Sequence, residues 1–211
     1  MTEYLTEQEN FWAGIFGTEY IRRNDSKELL ASNLSFFSRT LSKAGALKSC
    51  LEFGANIGMN LRAIQLLYPN IELSGVEINK DAAKELSNFI GDSAVFNGSI
   101  LDYPIETQSD LVLVKGVLIH INPDQLESTY KKIYEAAKQN ILICEYYNPS
   151  PVSIPYRGHR DRLFKRDFSG EMLDMFTDLE LIDYGFVYHR DLAFPQDDIN
   201  WFLIKKRAKN A

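Results

Sequence analysis

The sequence predicts an α/β protein built on an open, mostly parallel seven-stranded sheet, and three observations carry this prediction. From Cys50 onward, short apolar runs alternate with amphipathic stretches, which is typical of βαβ units with helices on both faces of a sheet. Two glycines four residues apart, Gly54 and Gly58, follow the first apolar run. Near the carboxyl end, two strand-like runs flank a polar turn at 195–198, which favours an antiparallel pair at one edge.

Hydrophobic spacing predicts each element in turn. Apolar residues at helical spacing predict a helical cap before residue 47, interrupted near 24–26, where Ser26 can cap the next helix. Segment 148–164 holds three prolines and is predicted as a long loop, and loops of that length usually serve a function. The predicted strands span 49–53, 71–77, 93–97, 110–115, 140–146, 179–189 and 199–205, and the predicted helices span 58–67, 79–90, 123–137 and 167–176.

Length and composition favour one globular domain. The 211 residues are 45% hydrophobic and 25% charged, which suits a single packed core. We expect a helical cap at 1–47, a cofactor-binding core at 48–147, a substrate-side insertion and helix at 148–178, and antiparallel strands at 179–211.

Charge and residue usage exclude several classes of protein. A net charge of −6 argues against a nucleic-acid-binding protein, which needs a basic face. There is no apolar run long enough to span a bilayer, and Met1–Asn10 is polar, so we expect a soluble, cytoplasmic protein. The sequence leaves open whether it is a monomer or a homodimer. Cys50 and Cys144 lie in apolar runs and are expected to be buried without a disulfide. The three histidines are widely separated in sequence, so no metal site is expected.

The stretch LEFGANIGMN, residues 51–60, lies where ligands bind in open α/β sheets, beyond the carboxyl end of a strand. Gly54 permits a sharp turn, and Gly58 permits a close approach of a ligand or of the following helix. Glu77 ends the second strand, where a carboxylate can accept hydrogen bonds from both hydroxyls of a ribose. Ile78 can then pack on an adenine face, and segment 97–100 can meet the adenine edge.

Two cofactors compete for this site. A dinucleotide site normally has three glycines as G-x-G-x-x-G, but Gly54-Ala55-Asn56 lacks the middle one. Glu52 precedes the loop and would repel a pyrophosphate, whereas the ammonium and sulfonium groups of S-adenosylmethionine would be attracted to it. The residues therefore favour S-adenosylmethionine.

These residues resemble the class I S-adenosylmethionine-dependent methyltransferases, whose first motif reads E/D-x-G-x-x-x-G and is matched by Glu52–Gly58. The resemblance implies a Rossmann-like fold with strand order 3-2-1-4-5-7-6, and it places a fourth-strand motif at 115–120 beside the methyl group. Helix residues near the start of the chain are candidates for a lid over the cofactor, although Trp12, Phe16 and Tyr20 also suit core packing. The candidate cofactor-binding residues are Trp12, Tyr20, Arg23, Glu52, Gly54, Ala55, Asn56, Gly58, Asn60, Glu77, Ile78, Gly98, Ser99, Ile100, Lys115, Gly116 and Val117.

A narrower resemblance involves two further segments, residues 11–24 and 156–168. They look like methyltransferases associated with pseudaminic acid biosynthesis, which are tied to bacterial nonulosonic-acid sugars. The resemblance implies a small acceptor, sugar-derived or amine-bearing, in that metabolism or in surface-glycan metabolism.

Candidate catalytic and substrate-binding residues follow the fourth and fifth predicted strands. His120 is the first candidate for a base, His159 the second, and the Tyr146 hydroxyl can orient a nucleophile. Six basic residues between 157 and 166 oppose the dipole of the predicted helix at 167–176, which suggests an anionic substrate such as a sugar acid or nucleotide sugar. The candidate substrate-binding residues are Tyr147, Asn148, Arg157, Arg160 and Arg162.

Two other functions stay open on the sequence. An NAD(P)-dependent oxidoreductase would share the sheet and the ribose carboxylate. A non-catalytic partner in a sugar-biosynthesis complex would need neither His120 nor Arg160. The sequence also leaves open whether nitrogen, oxygen or carbon receives the methyl group.

Overall fold

The computed structural model describes residues 4–21 and 26–207, and a seven-stranded sheet forms its centre. The sheet has the order β3-β2-β1-β4-β5-β9-β8. Its strands are β1 (Ser49–Phe53), β2 (Glu72–Glu77), β3 (Val95–Asn97), β4 (Ser109–Lys115), β5 (Ala137–Glu145), β8 (Leu179–Val187) and β9 (Ile199–Lys206).

Strand pairing confirms the predicted fold class. Strands β1 to β5 are parallel to one another. Strand β9 lies between β5 and β8 and is antiparallel to both, and β8 is the edge strand. Counting only strands of this sheet, the order is the predicted 3-2-1-4-5-7-6. The connection between the last two strands is longer than the predicted turn, because β8 ends at Val187 and β9 begins at Ile199.

Seven helices surround the sheet in the described residues, and local capping fixes several of their starts. The Ser26 side chain accepts from the Leu29 N–H, as predicted, and Asn79 accepts from the N–H groups of Asp81 and Ala82. The helices are α1 (Glu7–Ala13), α2 (Ile15–Ile21), α3 (Lys27–Thr40), α4 (Met59–Leu67), α5 (Lys80–Ile90), α6 (Leu126–Ala136) and α7 (Phe168–Met175).

The central strands bury both faces. Alternate side chains such as Leu51 and Phe53 pack with α6 and α7 on one face, while Cys50 packs with α3 and α4 on the other. Cys50 and Cys144 are both buried and free. Between residues 4 and 207, leaving out 22–25, no helix has the length and apolar character needed to cross a membrane.

The predicted loop at 148–164 is wrong in one important respect. Most of it forms an antiparallel hairpin of β6 (Val152–Tyr156) and β7 (His159–Lys165) outside the main sheet. Arg157 and Gly158 make its turn with φ of 50° and 86°. The prolines misled the prediction because Pro149 and Pro151 precede the first strand and Pro155 lies on an exposed two-stranded ribbon, where proline is tolerated.

The predicted N-terminal cap also differs in detail. The aromatic residues Trp12, Phe16 and Tyr20 do not share one continuous helix, because the chain breaks at Gly14 between α1 and α2. Their rings nevertheless meet, with Trp12 lying 5.3 Å from both Phe16 and Tyr20 between ring centroids. Asn79 Nδ2 holds the break by donating to the Gly14 carbonyl at 3.2 Å. The candidate Arg23 lies outside the described residues.

Candidate functional site

A cavity of about 590 Å³ opens at the carboxyl ends of β1 to β4, beneath α1 and α2. Its volume is in the range of ordinary small-molecule sites. Parallel strands of an open α/β sheet bind ligands at this edge, so the position agrees with the fold. The predicted site residues that line it are Trp12, Tyr20, Gly54, Ala55, Asn56, Asn60, Glu77, Ile78, Gly98, Ser99, Ile100, Lys115, Gly116, Val117, His120 and Arg157.

The glycine loop after β1 has left-handed backbone at three positions. Gly54, Asn56 and Gly58 have φ of 71°, 48° and 82°. A Cβ at Gly54 would collide with the Val117 side chain, so this glycine lets two cavity loops touch. A Cβ at Gly58 would lie 2.7 Å from Leu86 Cδ1, and Gly58 does not line the cavity. Gly58 thus serves helix packing rather than approach to a ligand.

The Glu77 carboxylate is fixed by two backbone N–H groups. Its Oε2 accepts from Asn56 N at 2.7 Å, and its Oε1 accepts from Asn79 N at 2.7 Å. Burial raises the pKa of Glu77 above its ordinary value, and these hydrogen bonds offset only part of that rise. A carboxylate has about four acceptor sites, so each oxygen can accept one more donor from a ligand.

Glu52 lies behind the glycine loop and does not border the cavity. Its Oε1 accepts from Asn60 Nδ2 at 2.6 Å, and Asn60 does line the cavity. Complete burial raises the pKa of Glu52 to about 8. Oε2 has no hydrogen-bond partner among the described residues. Glu52 therefore acts on the cavity through Asn60.

The segment after β3 meets helix α1 at one end of the cavity. Gly98, Ser99 and Ile100 line it as predicted, and the Ser99 hydroxyl contacts the Glu9 carboxylate. Gly98 N donates to the Glu77 carbonyl at 3.1 Å, which keeps this segment next to the end of β2. Glu9 was not predicted as a site residue, because its helical position gave no sign that it would reach β3.

His120 lies between the cavity and the β6–β7 hairpin. Its Nδ1 lies 2.5 Å from the Arg162 carbonyl oxygen, and because a carbonyl can only accept, Nδ1 carries the proton and Nε2 is free of one. The ring packs 4.5 Å from Trp12 and 5.1 Å from Tyr156. Burial lowers the pKa of His120 to about 4, so the ring is neutral at physiological pH.

Glu145, which the sequence reasoning missed, holds the loop after β4. Its Oε1 accepts from Val117 N at 2.9 Å and from Leu118 N at 2.8 Å. Burial raises the pKa of Glu145 to about 8. An acidic residue ending a buried strand was visible in the sequence, but the spacing did not show that it caps a loop on the neighbouring strand.

The opposite end of the cavity is built from the hairpin turn and the β8–β9 connection. Arg157 borders it from the hairpin, and Gln196 and Asp197 border it from the connection. Gln196 Nε2 donates to Asn33 Oδ1 at 3.0 Å, which ties the connection to α3. Asp197 lies beside the Tyr146 hydroxyl, and burial, together with this carboxylate, raises the pKa of Tyr146. The sequence indicated only a turn here.

Several predicted residues are not brought to the cavity. His159 packs against Phe11 at 5.0 Å, and Tyr147 is 39% exposed beside Phe202. Asn148 donates to the Ser150 carbonyl. Tyr146 does not line the cavity, and its hydroxyl lies beside Asp197, which does.

The basic segment 157–166 is also dispersed. Arg160 is exposed, and Arg162 turns away to Glu7, 3.0 Å from its carboxylate. Arg166 precedes α7 and pairs with Glu171 of that helix at 2.6 Å. The expectation that this cluster opposes a helix dipole is wrong, because most of the residues lie on β7 and the turn before it. Within the described ranges, no group of three or more His, Cys, Asp and Glu side chains is placed to hold a metal ion.

Comparison with known proteins gives structural neighbours but no sequence match. No protein-family profile and no curated protein sequence matches the chain. A 1,6-didemethyltoxoflavin-N1-methyltransferase from Burkholderia thailandensis superimposes with a TM-score of 0.71 at 15% identity, over 99% of this chain and 94% of that one. A magnesium protoporphyrin IX methyltransferase from Synechocystis PCC 6803 gives 0.66 at 12% identity, over 98% and 100%.

A S-adenosylmethionine-dependent methyltransferase of Leishmania major gives a TM-score of 0.64 at 12% identity, over 94% of this chain and 82% of that one. The Burkholderia structure holds S-adenosylhomocysteine, and the Synechocystis structure holds S-adenosylmethionine. At these identities the likeness shows the fold alone. The chain therefore has the Rossmann-like fold of the class I S-adenosylmethionine-dependent methyltransferases.

Proposed function

We propose that the protein is a methyltransferase that uses S-adenosylmethionine and releases S-adenosylhomocysteine. The observation that carries the proposal is the Glu77 carboxylate, fixed by two backbone N–H groups beside a glycine loop and open to a cavity of about 590 Å³. Such a carboxylate suits the two hydroxyls of a ribose. Structural neighbours that bind this cofactor or its product support the same choice.

The residues fit this cofactor in two respects. Asn56 lines the cavity, and its Oδ1 is buried with no partner in the part of the chain that the structure describes, so it can accept from a ligand ammonium. Lys115 and Gly116 line the same wall, and a Cβ at Gly116 would meet no atom within 4 Å, which leaves open space above the loop. Bound there, the cofactor supplies an electrophilic methyl group on sulfur.

The chain itself contributes alignment and exclusion of water. Trp12 and Tyr20 cover the cavity from α1 and α2, and closure over a reactive centre keeps water out. Most of the acceleration in such a transfer comes from holding the two reactants in line. His120 presents an unprotonated Nε2, which can accept a hydrogen bond from the nucleophile, although the burial that lowers its pKa to about 4 makes it a weak base. Its Nδ1–H fixes the ring to Arg162.

For the acceptor, we propose a small molecule with an anionic group, entering at the Arg157 and Asp197 end of the cavity. Arg157 can pair with a carboxylate or phosphate, and Asp197 can receive an amine or hydroxyl. The likeness of segments 11–24 and 156–168 to pseudaminic acid-associated methyltransferases supports a sugar acid or nucleotide sugar of bacterial nonulosonic-acid or surface-glycan metabolism. Nitrogen or oxygen is the proposed site of methylation.

Calorimetry with S-adenosylhomocysteine tests the cofactor. We expect micromolar binding by the wild type and loss of about 100-fold or more in Glu77→Ala, because the ribose hydroxyls lose their acceptor. Glu72→Ala is the matched control, since Glu72 is exposed at the start of the same strand. It should bind like the wild type.

NAD serves as the competing ligand in the same experiment. A folded protein that binds NAD but neither S-adenosylmethionine nor S-adenosylhomocysteine would make the oxidoreductase alternative correct. A folded protein that binds none of the three would favour a non-catalytic role.

A further inference from the structure

Glu9 lies where the helical cap meets the strand ends. Its carboxylate borders the cavity together with Ser99, whose hydroxyl donates to Glu9 Oε1. The other oxygen, Oε2, accepts from Thr6 N and from Thr6 Oγ1, both at 2.9 Å. The carboxylate is therefore held in one orientation, with Oε1 facing the segment after β3.

The position of Glu9 relative to Glu77 decides which part of a ligand it meets. Asn97 Nδ2 and Gly98 N both donate to the Glu77 carbonyl, at 2.8 and 3.1 Å, so the ends of β2 and β3 are locked side by side. A ribose on the Glu77 carboxylate would therefore lie next to segment 98–101, which lines the same cavity and is in reach of the attached base. Among the described residues bordering that end of the cavity, Glu9 supplies the carboxylate.

We propose that Glu9 reads the edge of the purine by accepting a hydrogen bond from the exocyclic amino group of adenine. This inference rests on the proposed function and adds a specificity-determining residue contributed by the cap rather than by the sheet. An ionised carboxylate only accepts hydrogen bonds, so it favours an amino group and repels the keto oxygen of hypoxanthine. On binding, the adenine amino group replaces the Ser99 hydroxyl as the donor to Oε1.

The capping geometry allows a clean substitution. Thr6 and Glu9 form a capping box at the start of α1, and glutamine serves at the same position of such a box. In Glu9→Gln, the amide oxygen can keep the bond from Thr6 N while the NH₂ group takes the place of Oε1. The helix start is retained, but the group that faces the purine changes from an acceptor to a donor.

The test compares the binding of S-adenosylhomocysteine and S-inosylhomocysteine by calorimetry, in the wild type, Glu9→Gln and Glu7→Gln. The Glu7→Gln variant removes the same charge from the same helical turn as Glu9→Gln. The Glu7 carboxylate, however, is exposed and pairs with Arg162. We expect the wild type and Glu7→Gln to prefer the adenosyl ligand by about 10-fold or more, since a charged hydrogen bond is lost with inosine. In Glu9→Gln the preference should fall below about 3-fold or reverse.

Each outcome bears on a different statement. If Glu9→Gln binds S-adenosylhomocysteine and keeps the wild-type preference, Glu9 does not read the purine and the inference is wrong, while the proposed cofactor stands. If Glu7→Gln loses the preference equally, the effect is one of net charge and the inference is also overturned. If the wild type binds neither ligand, the proposed function itself fails and takes the inference with it.

Discussion

The two ends of the cavity are built in different ways. At the end where we propose that the cofactor binds, called the cofactor end, backbone groups at the tips of β1, β2 and β3 fix the side chains, as when Asn56 N and Asn79 N hold Glu77. At the end where we propose that the acceptor enters, called the acceptor end, side chains come from the β6–β7 hairpin and the 188–198 connection, and Arg157 and Asp197 are both exposed. The first end is thus set by the sheet, and the second by segments attached to it.

This difference indicates a division of tasks. A site fixed by parallel strand ends is rigid and suits a constant ligand, because the strand backbones cannot move apart without breaking the sheet. Loops and ribbons on a rigid scaffold tolerate change and carry specificity. We infer that substitutions at the cofactor end affect folding and cofactor affinity together, whereas those at the acceptor end affect the use of the acceptor and leave folding and cofactor affinity unchanged.

The largest effect is expected from Gly54→Ala. The added Cβ would collide with Val117 in a backbone conformation that alanine disfavours, so the free energy of unfolding should fall by about 2–4 kcal/mol. Affinity for S-adenosylhomocysteine should fall with it. Gly91→Ala is the control: its φ of 92° is also positive, but no atom lies within 4 Å. Urea unfolding of both variants measures the difference, and equal losses would show that the loop contact is unimportant.

His120→Ala tests the connection between the two ends. Loss of the Nδ1–H bond to Arg162 and of the ring contacts should reduce stability by about 1–3 kcal/mol and speed amide exchange in β7. Affinity for S-adenosylhomocysteine should change by less than about 3-fold. His120→Gln can keep the bond to the carbonyl, so its β7 exchange should stay closer to the wild type. Unchanged amide exchange of β7 in both variants would show that the His120 bond to the Arg162 carbonyl does not hold β7 in place.

Glu145→Gln tests the buried acid between the ends. The folded-state pKa of about 8 lies above the usual 4.5, so the stability that goes with the protonated carboxyl is present below pH 4.5 and is lost as pH rises through 8. The amide can accept the same two N–H bonds without titrating. Between pH 5 and pH 8.5, the free energy of unfolding of the wild type should therefore fall by at least about 1 kcal/mol more than that of the variant.

The control for that titration is Glu127→Gln, because Glu127 is exposed and its pKa is lowered by Lys131. Urea unfolding across this pH range should give the Glu127 variant the same pH slope as the wild type. Parallel curves for the Glu145 variant and the wild type would show that Glu145 is ionised in the folded protein at neutral pH.

Arg157→Ala gives the smallest expected effect and sharpens the contrast at the acceptor end. With an anionic acceptor found by screening, KM should rise about 10-fold while cofactor affinity is unchanged. Arg160→Ala is matched in charge and in sequence neighbourhood, but Arg160 does not line the cavity. Initial-rate measurements should leave its KM at the wild-type value, and an equal rise in both variants would indicate a diffuse charge effect.

The sequence predicted the cofactor end better than the acceptor end, for a physical reason. The sheet follows from alternating apolar runs, and Gly54 and Glu77 lie at strand ends whose neighbours are fixed by local rules. The hairpin was missed because Pro155 interrupts β6 and only Leu163 and Phe164, which are adjacent on β7, are buried, so no alternating pattern marks its strands. Glu9 and Asp197 reach the cavity through long-range packing, which spacing along the chain does not reveal.

A structure of the protein crystallised with S-adenosylhomocysteine tests the division of the cavity most directly. The account predicts ribose density on the Glu77 carboxylate, the base against 98–101, and the homocysteine sulfur pointing toward the Arg157 and Asp197 end. Density for the ligand at the Arg157 end, with Glu77 making no contact to it, would contradict the account.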